Sequence, residues 1–128
     1  PSYVTCTEEY DGSSWTAGGA MIESRSYIGS AGTQNAGLAF GGNDPDNQCV
    51  TEEYNGTAWS AGGNMITGRE TPRMSLGGTG TSLTALAFGG STPTTTNITE
   101  EFLATEGASV YLNRKTCTRC LSATCTQI

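Results

Sequence analysis

The stretch Thr51-Glu52-Glu53-Tyr54-Asn55-Gly56-Thr57-Ala58-Trp59 decides how the chain is read, because nearly the same words come round again. Thr7-Glu8-Glu9-Tyr10-Asp11-Gly12-Ser13-Ser14-Trp15 lies 44 residues upstream, and Thr99-Glu100-Glu101-Phe102 lies 48 residues downstream. From Thr7 to Arg25 the first copy matches the second at 12 of 19 positions. A second phrase keeps the beat: Leu38-Ala39-Phe40-Gly41-Gly42 returns as Leu86-Ala87-Phe88-Gly89-Gly90. A period between 40 and 50 residues marks an array of repeat units, each a small piece of supersecondary structure.

Within one unit the signals are those of short strands. Thr7 to Tyr10 favours a strand, Asp11-Gly12 signals a tight hairpin turn, and Ser13 to Thr16 returns. Met21-Ile22 reads as the crossing to the next unit. Arg25 to Ser30 reads as an innermost strand, Gly32-Thr33 as a turn, and Asn35 to Phe40 as the strand coming back. The closing Gly41-Gly42 and Gly89-Gly90 suit positive φ or a close backbone approach. Asn43 to Asn47 forms a polar connector. The second copy is four residues longer, and the insertion falls around Gly68-Arg69-Glu70-Thr71-Pro72, which has loop chemistry. The units are then about 3–46, 47–94 and a partial 95–102. Residues 103–128 form a divergent, Cys-containing C-terminal segment, in which Val110-Tyr111-Leu112 can supply one more strand.

This pattern resembles the kelch repeat, the unit of four-stranded β-propeller blades. The residues that carry the resemblance are Gly41, Gly42, Gly89 and Gly90 after an apolar strand, then Tyr10 or Tyr54, then Trp15 or Trp59. Met21 and Met65, followed by Arg25 and Arg73, look like the segment that opens the next kelch unit. The resemblance covers roughly residues 3–102. It departs from the usual kelch pattern in having tyrosine and tryptophan only five apart. The fold it implies is all-β: two full blades and a degenerate third, belonging to a larger or oligomeric propeller or to a filament. Short Gly-rich units of this wording also look like those of bacteriophage tail-fibre-like proteins.

Composition narrows the function classes. Twelve carboxylates stand against six basic side chains, a balance that disfavours nucleic acid as a partner. No apolar run reaches membrane-spanning length, so no membrane span is expected. The start at Pro1 reads as a processed product or as the ordered part of a longer protein. Five cysteines leave at least one unpaired within the chain. Cys6, Cys49, Cys117, Cys120 and Cys125 are disulfide candidates, with free thiols or a metal as the other readings. The tail offers three thiols and no histidine, short of a zinc set, and no metal or cofactor is expected.

Candidate chemistry is thin. The Glu8-Glu9, Glu52-Glu53 and Glu100-Glu101 pairs look like acid–base carboxylates. Yet they recur at equivalent positions, and neighbours on a strand point to opposite faces. A structural role is therefore expected, one carboxylate bonding backbone or Arg25 and Arg73. Trp15 and Trp59 suit packing between units, with sugar stacking as the alternative. Met21 and Met65 are expected in the core. The chain contains no histidine, which removes Ser-His-Asp and Cys-His nucleophiles and the imidazole ligands of copper-oxidase propellers. Asp44, Asp46 and Asn47 could offer oxygen ligands to calcium. With Arg69 and Glu70 they are the loop residues expected to carry any binding, to a surface glycan or a protein receptor. Asn55-Gly56-Thr57 and Asn97-Ile98-Thr99 are glycosylation sequons.

The expectation is a non-enzymatic structural and adhesive module of an extracellular fibre or virion surface. A kelch-type scaffold binding a protein partner on its loop face is the alternative, and a glycan hydrolase a third. Two full units leave two apolar faces open, so further blades of a longer chain, or other copies in a homo-oligomer, are expected to cover them.

Overall fold

The computed structural model of the chain describes residues 3–44, 48–66, 68, 76–91, 98–105 and 108–114. Among these residues all regular structure is strand, and no helix is long and apolar enough to cross a membrane. The loop residues Asp46, Asn47, Arg69 and Glu70, the tail cysteines Cys117, Cys120 and Cys125, Arg73 and the Asn97 sequon lie outside the described residues.

Among the described residues ten strands form three antiparallel sheets. Sheet I is the hairpin of β1 (Glu8–Tyr10) and β2 (Trp15–Ala17). Sheet II is a four-stranded meander of β3 (Gly29–Thr33), β4 (Ala36–Phe40), β5 (Thr51–Tyr54) and β6 (Trp59–Ala61). Sheet III repeats it with β7 (Leu76–Gly80), β8 (Thr84–Gly89), β9 (Thr99–Thr105) and β10 (Ala108–Arg114). Each meander joins the end of one sequence copy to the start of the next. Leu38 pairs with Glu53 in sheet II, and Leu86 pairs with Glu101 in sheet III. The expected late strand at Val110 to Leu112 exists and is longer, pairing with β9 from Ala108 to Arg114.

Three local expectations are corrected. Asp11-Gly12 does not make a two-residue hairpin turn, because Tyr10 pairs with Trp15 and four residues connect them. The Asp11 carboxylate accepts hydrogen bonds from the backbone N–H of Ser13 and Ser14, both at 2.8 Å, which closes a wider loop. Asn55 does the same for Thr57 and Ala58. Gly32 and Thr33 are strand rather than turn, since Thr33 pairs with Ala36 and the turn falls on Gln34-Asn35. The innermost strand also starts later than Arg25. Arg25 and Ser26 make only isolated bridges, to Val4 and Asn43.

The core lies between sheets II and III. Leu38 and Phe40 project from one face of β4 onto Ala85, Ala87 and Phe102, with Met65 beside them. All six are buried, and Phe40 and Phe102 are fully so. Period-two alternation on β4 sends Leu38 and Phe40 to this face and Gly37 and Ala39 to the other. The sheets approach most closely where β3 meets β7. There a Cβ on Gly78 would collide with the Ser30 carbonyl and the Phe40 ring, so only glycine fits. The paired glycines ending β4 and β8 have positive φ at Gly41, Gly42, Gly89 and Gly90, as their sequence position predicts. At Gly42 (φ 102°) a side chain would also sit 2.7 Å from the Ser26 carbonyl oxygen.

Candidate functional site

Among the described residues the most elaborate polar chemistry gathers at Glu52. Alternation along β5 splits the Glu-Glu pair, so that Glu52 turns to the face looking toward sheet I and Glu53 to the face looking toward sheet III. Glu52 is fully buried, and the side chain of its partner Arg25 is withdrawn from water as well. The Arg25 guanidinium donates at 2.8 Å to Glu52 Oε1 and at 2.7 and 2.8 Å to the carbonyls of Gly41 and Val50. The two carboxylate oxygens also accept the backbone N–H of Ile22 at 2.6 Å and of Glu23 at 3.2 Å. The crossing peptide that leaves sheet I is thus clasped to the middle of sheet II. Glu100 repeats the clasp, accepting the N–H of Ile66 at 2.7 Å from the crossing that leaves sheet II. Met21 and Met65 are buried at the start of these crossings, as expected of core residues.

A second contact ties sheet II to sheet I. Tyr54 and Trp59 lie on neighbouring strands with ring centroids 4.9 Å apart. The Tyr54 hydroxyl donates a short hydrogen bond to Glu9, and Trp59 Nε1 donates to Thr7 Oγ1 at 2.9 Å. Thr7 and Glu9 alternate with Glu8 and Tyr10, so they share the face of sheet I that looks at sheet II. The hydrogen bond that the Tyr54 phenol donates to Glu9 holds the proton and raises its pKa above the ordinary value, with desolvation adding to the effect. Trp59 therefore packs between units as its repetition predicts. Trp15 does not: it stacks on Tyr10 at 5.0 Å but is 65% exposed, and Tyr10 is 45% exposed. The side chains are the same in both copies; what differs is that no sheet precedes sheet I among the described residues.

Beside this contact lies a groove of about 670 Å³. Among the described residues sheet I has only the outer two strands of the meander, and the groove runs along the inner half of sheet II at Ser30, Gly37 and Ala39. Glu8, Tyr54 and Trp59 form its outer wall. None of these was singled out as a loop-borne binding residue. Of the loop residues, Asp44 is described, and it is engaged: its carboxylate accepts from the Ser24 hydroxyl and its carbonyl from Gln48. It lines a smaller hollow of about 180 Å³ with Glu23 and Arg25, apart from the groove.

The remaining candidates are quickly placed. Cys6 is exposed and Cys49 half-buried against the core, and both are free thiols. Among the described residues no three Asp, Glu or Cys side chains converge on a metal-sized site. Asn55 of the first sequon is exposed at a loop tip. No protein-family model matches the chain, and no curated protein does.

Proposed function

We propose that the chain is a non-enzymatic structural and adhesive module, a run of kelch-like blades belonging to an extracellular fibre or virion surface. The observation that carries this reading is the use made of the recurring carboxylates. Glu52 and Glu100 are spent on clasping the crossing peptides, and Glu9 on holding Tyr54. An acid–base pair needs two carboxyls converging on one substrate bond. Here adjacent glutamates diverge to opposite faces of a strand, and the buried one is already saturated by an arginine and two peptide N–H groups. The fibre assignment draws on the Gly-rich repeat wording and on sheets added one behind another along the chain. The adhesive part draws on the loops in which the copies differ most, the Asn43 to Asn47 connector and the insertion around Gly68 to Pro72.

The test pairs retention with turnover. The purified chain is passed over a panel of immobilised surface polysaccharides, and the eluate is assayed for newly released reducing ends. The reading predicts retention on some of them with no release. Release of shorter glycans that is lost in a folded Glu53→Gln variant would establish an enzyme instead.

A further inference from the structure

Three features at one end of the molecule describe the same missing neighbour. The first is the free edge of β1. In sheet II the equivalent strand β5 is flanked by β4 as well as β6, whereas among the described residues β1 pairs with β2 alone. The second is Glu8, which stands where Glu52 and Glu100 stand in the later copies. Those two are fully buried and clasp a crossing peptide, but Glu8 is exposed and has no hydrogen bond among the described residues. The third is the groove, which lies opposite the inner half of sheet II.

The molecule itself shows what fills such a place. Between sheets II and III the position is taken by the hairpin β3–β4, which adds to β5 with Leu38 opposite Glu53 and Phe40 opposite Thr51. Arg25, just ahead of that hairpin, reaches the carboxylate of Glu52. Leu38 and Phe40 then cover Ala85, Ala87 and Phe102 of the next sheet. Transposed by one repeat, the same hairpin adds to β1 with its leucine opposite Glu9 and its phenylalanine opposite Thr7. Thr7 and Glu9 face sheet II, so these two apolar side chains enter the groove over Gly37, Ala39 and Tyr54. Its arginine and the N–H groups before it reach Glu8.

We propose that β1, Glu8 and the groove form a docking site for one occupant, an inner β-hairpin of this chain's own kind. That occupant carries an arginine ahead of its first strand and a Leu-x-Phe sequence in its second. The inference rests on reading the chain as a repeat module. Main-chain bonds to β1 supply affinity, the two apolar side chains supply specificity, and the arginine on Glu8 fixes register.

The test uses the full chain and an N-acetylated peptide of residues 21–43, with a second version in which that segment is joined to Pro1 by a flexible linker to raise its local concentration. Amide hydrogen exchange is followed at Thr7 to Tyr10. At least one form of the segment is expected to slow exchange there by about tenfold or more, as a new strand covers the edge. Glu8→Gln is expected to weaken peptide binding by about 10- to 100-fold, the worth of a hydrogen bond to a charged group. A segment bearing Leu38→Ser and Phe40→Ser is expected to give no protection. The proposal is overturned if neither form protects β1, or if the serine-substituted segment protects it equally. It is also overturned if β1 becomes protected with rising protein concentration alone, which would make a second whole copy the occupant. Each result is independent of whether the chain retains or hydrolyses a polysaccharide, so the functional reading can fail without this one.

Discussion

Glu52 and Arg25 form an ion pair with both side chains withdrawn from water, and such a pair is costly to break from one side. Replacing Glu52 by Gln keeps the shape but leaves the guanidinium uncompensated. Equilibrium denaturation is expected to show a loss of about 3–5 kcal/mol, while Glu53→Gln, on a half-buried side chain, changes stability little. The Tyr54–Glu9 contact gives a prediction with a definite pH sign. The folded state raises the phenol's pKa above its ordinary value of about 10, so above that pH the unfolded chain has released the proton while the folded chain still holds it. The contribution is complete below pH 10 and is lost as pH rises through the folded pKa. Tyr54→Phe is therefore expected to flatten the alkaline limb of the stability profile, measured by denaturant midpoints from pH 8 to 11. An unchanged alkaline slope would mean that Glu9 does not set the phenol's titration. Asp11 carries the opposite sign. The backbone N–H groups of Ser14 and Ser13, with both hydroxyls, hold its carboxyl well below the usual range, so its contribution is present at neutral pH and is lost in acid.

At the scale of strands and sheets, equivalent residues meet unequal surroundings. Phe40 is fully buried between sheets II and III, whereas its repeat partner Phe88 is 42% exposed. Phe40→Ala is expected to cost about 3–5 kcal/mol through the cavity it leaves, and Phe88→Ala about 1 kcal/mol. Equal losses measured by denaturation would show that Phe88 also lies in an interface. This contrast marks the limit of what the sequence could disclose. Repetition of Leu38-Ala39-Phe40 as Leu86-Ala87-Phe88 revealed the strands, their alternation and the beat of the sheets. It could not reveal which copy has a neighbour, because burial depends on the next sheet and not on the words themselves. For the same reason Trp15 and Trp59 looked alike. The structural use of the glutamates was legible, since period-two alternation parts each pair and an arginine recurs near each crossing. The partners of Tyr54 and Trp59 were not, because Glu9 and Thr7 lie 45 and 52 residues away and no spacing rule connects them. The turns were misread because Asp11-Gly12 counts as a hairpin signal only when the aspartate side chain is idle. Here it accepts two backbone N–H groups and widens the loop.

In the molecule as a whole, stability is assembled unit by unit. Sheets II and III are each held by a clasp on a buried glutamate, Glu52 or Glu100, and by a face shared with the sheet before. In such arrays the total is close to a sum of units and nearest-neighbour interfaces. The groove and the exposed Tyr10 and Trp15 are then one half of an interface that the chain completes elsewhere, between sheets II and III. Pro1 aligns with Pro45, so a further copy of residues 1–44 placed ahead of Pro1 keeps the repeat in phase. That added copy supplies an inner hairpin to β1 and buries one more leucine and one more phenylalanine. Comparing the denaturant unfolding of the lengthened chain with that of the original is the most direct measurement. A single cooperative transition is expected, raised by about 3–6 kcal/mol from two large apolar side chains at about 1.5–3 kcal/mol each. An added copy that unfolds separately, leaving the original transition where it was, would contradict it.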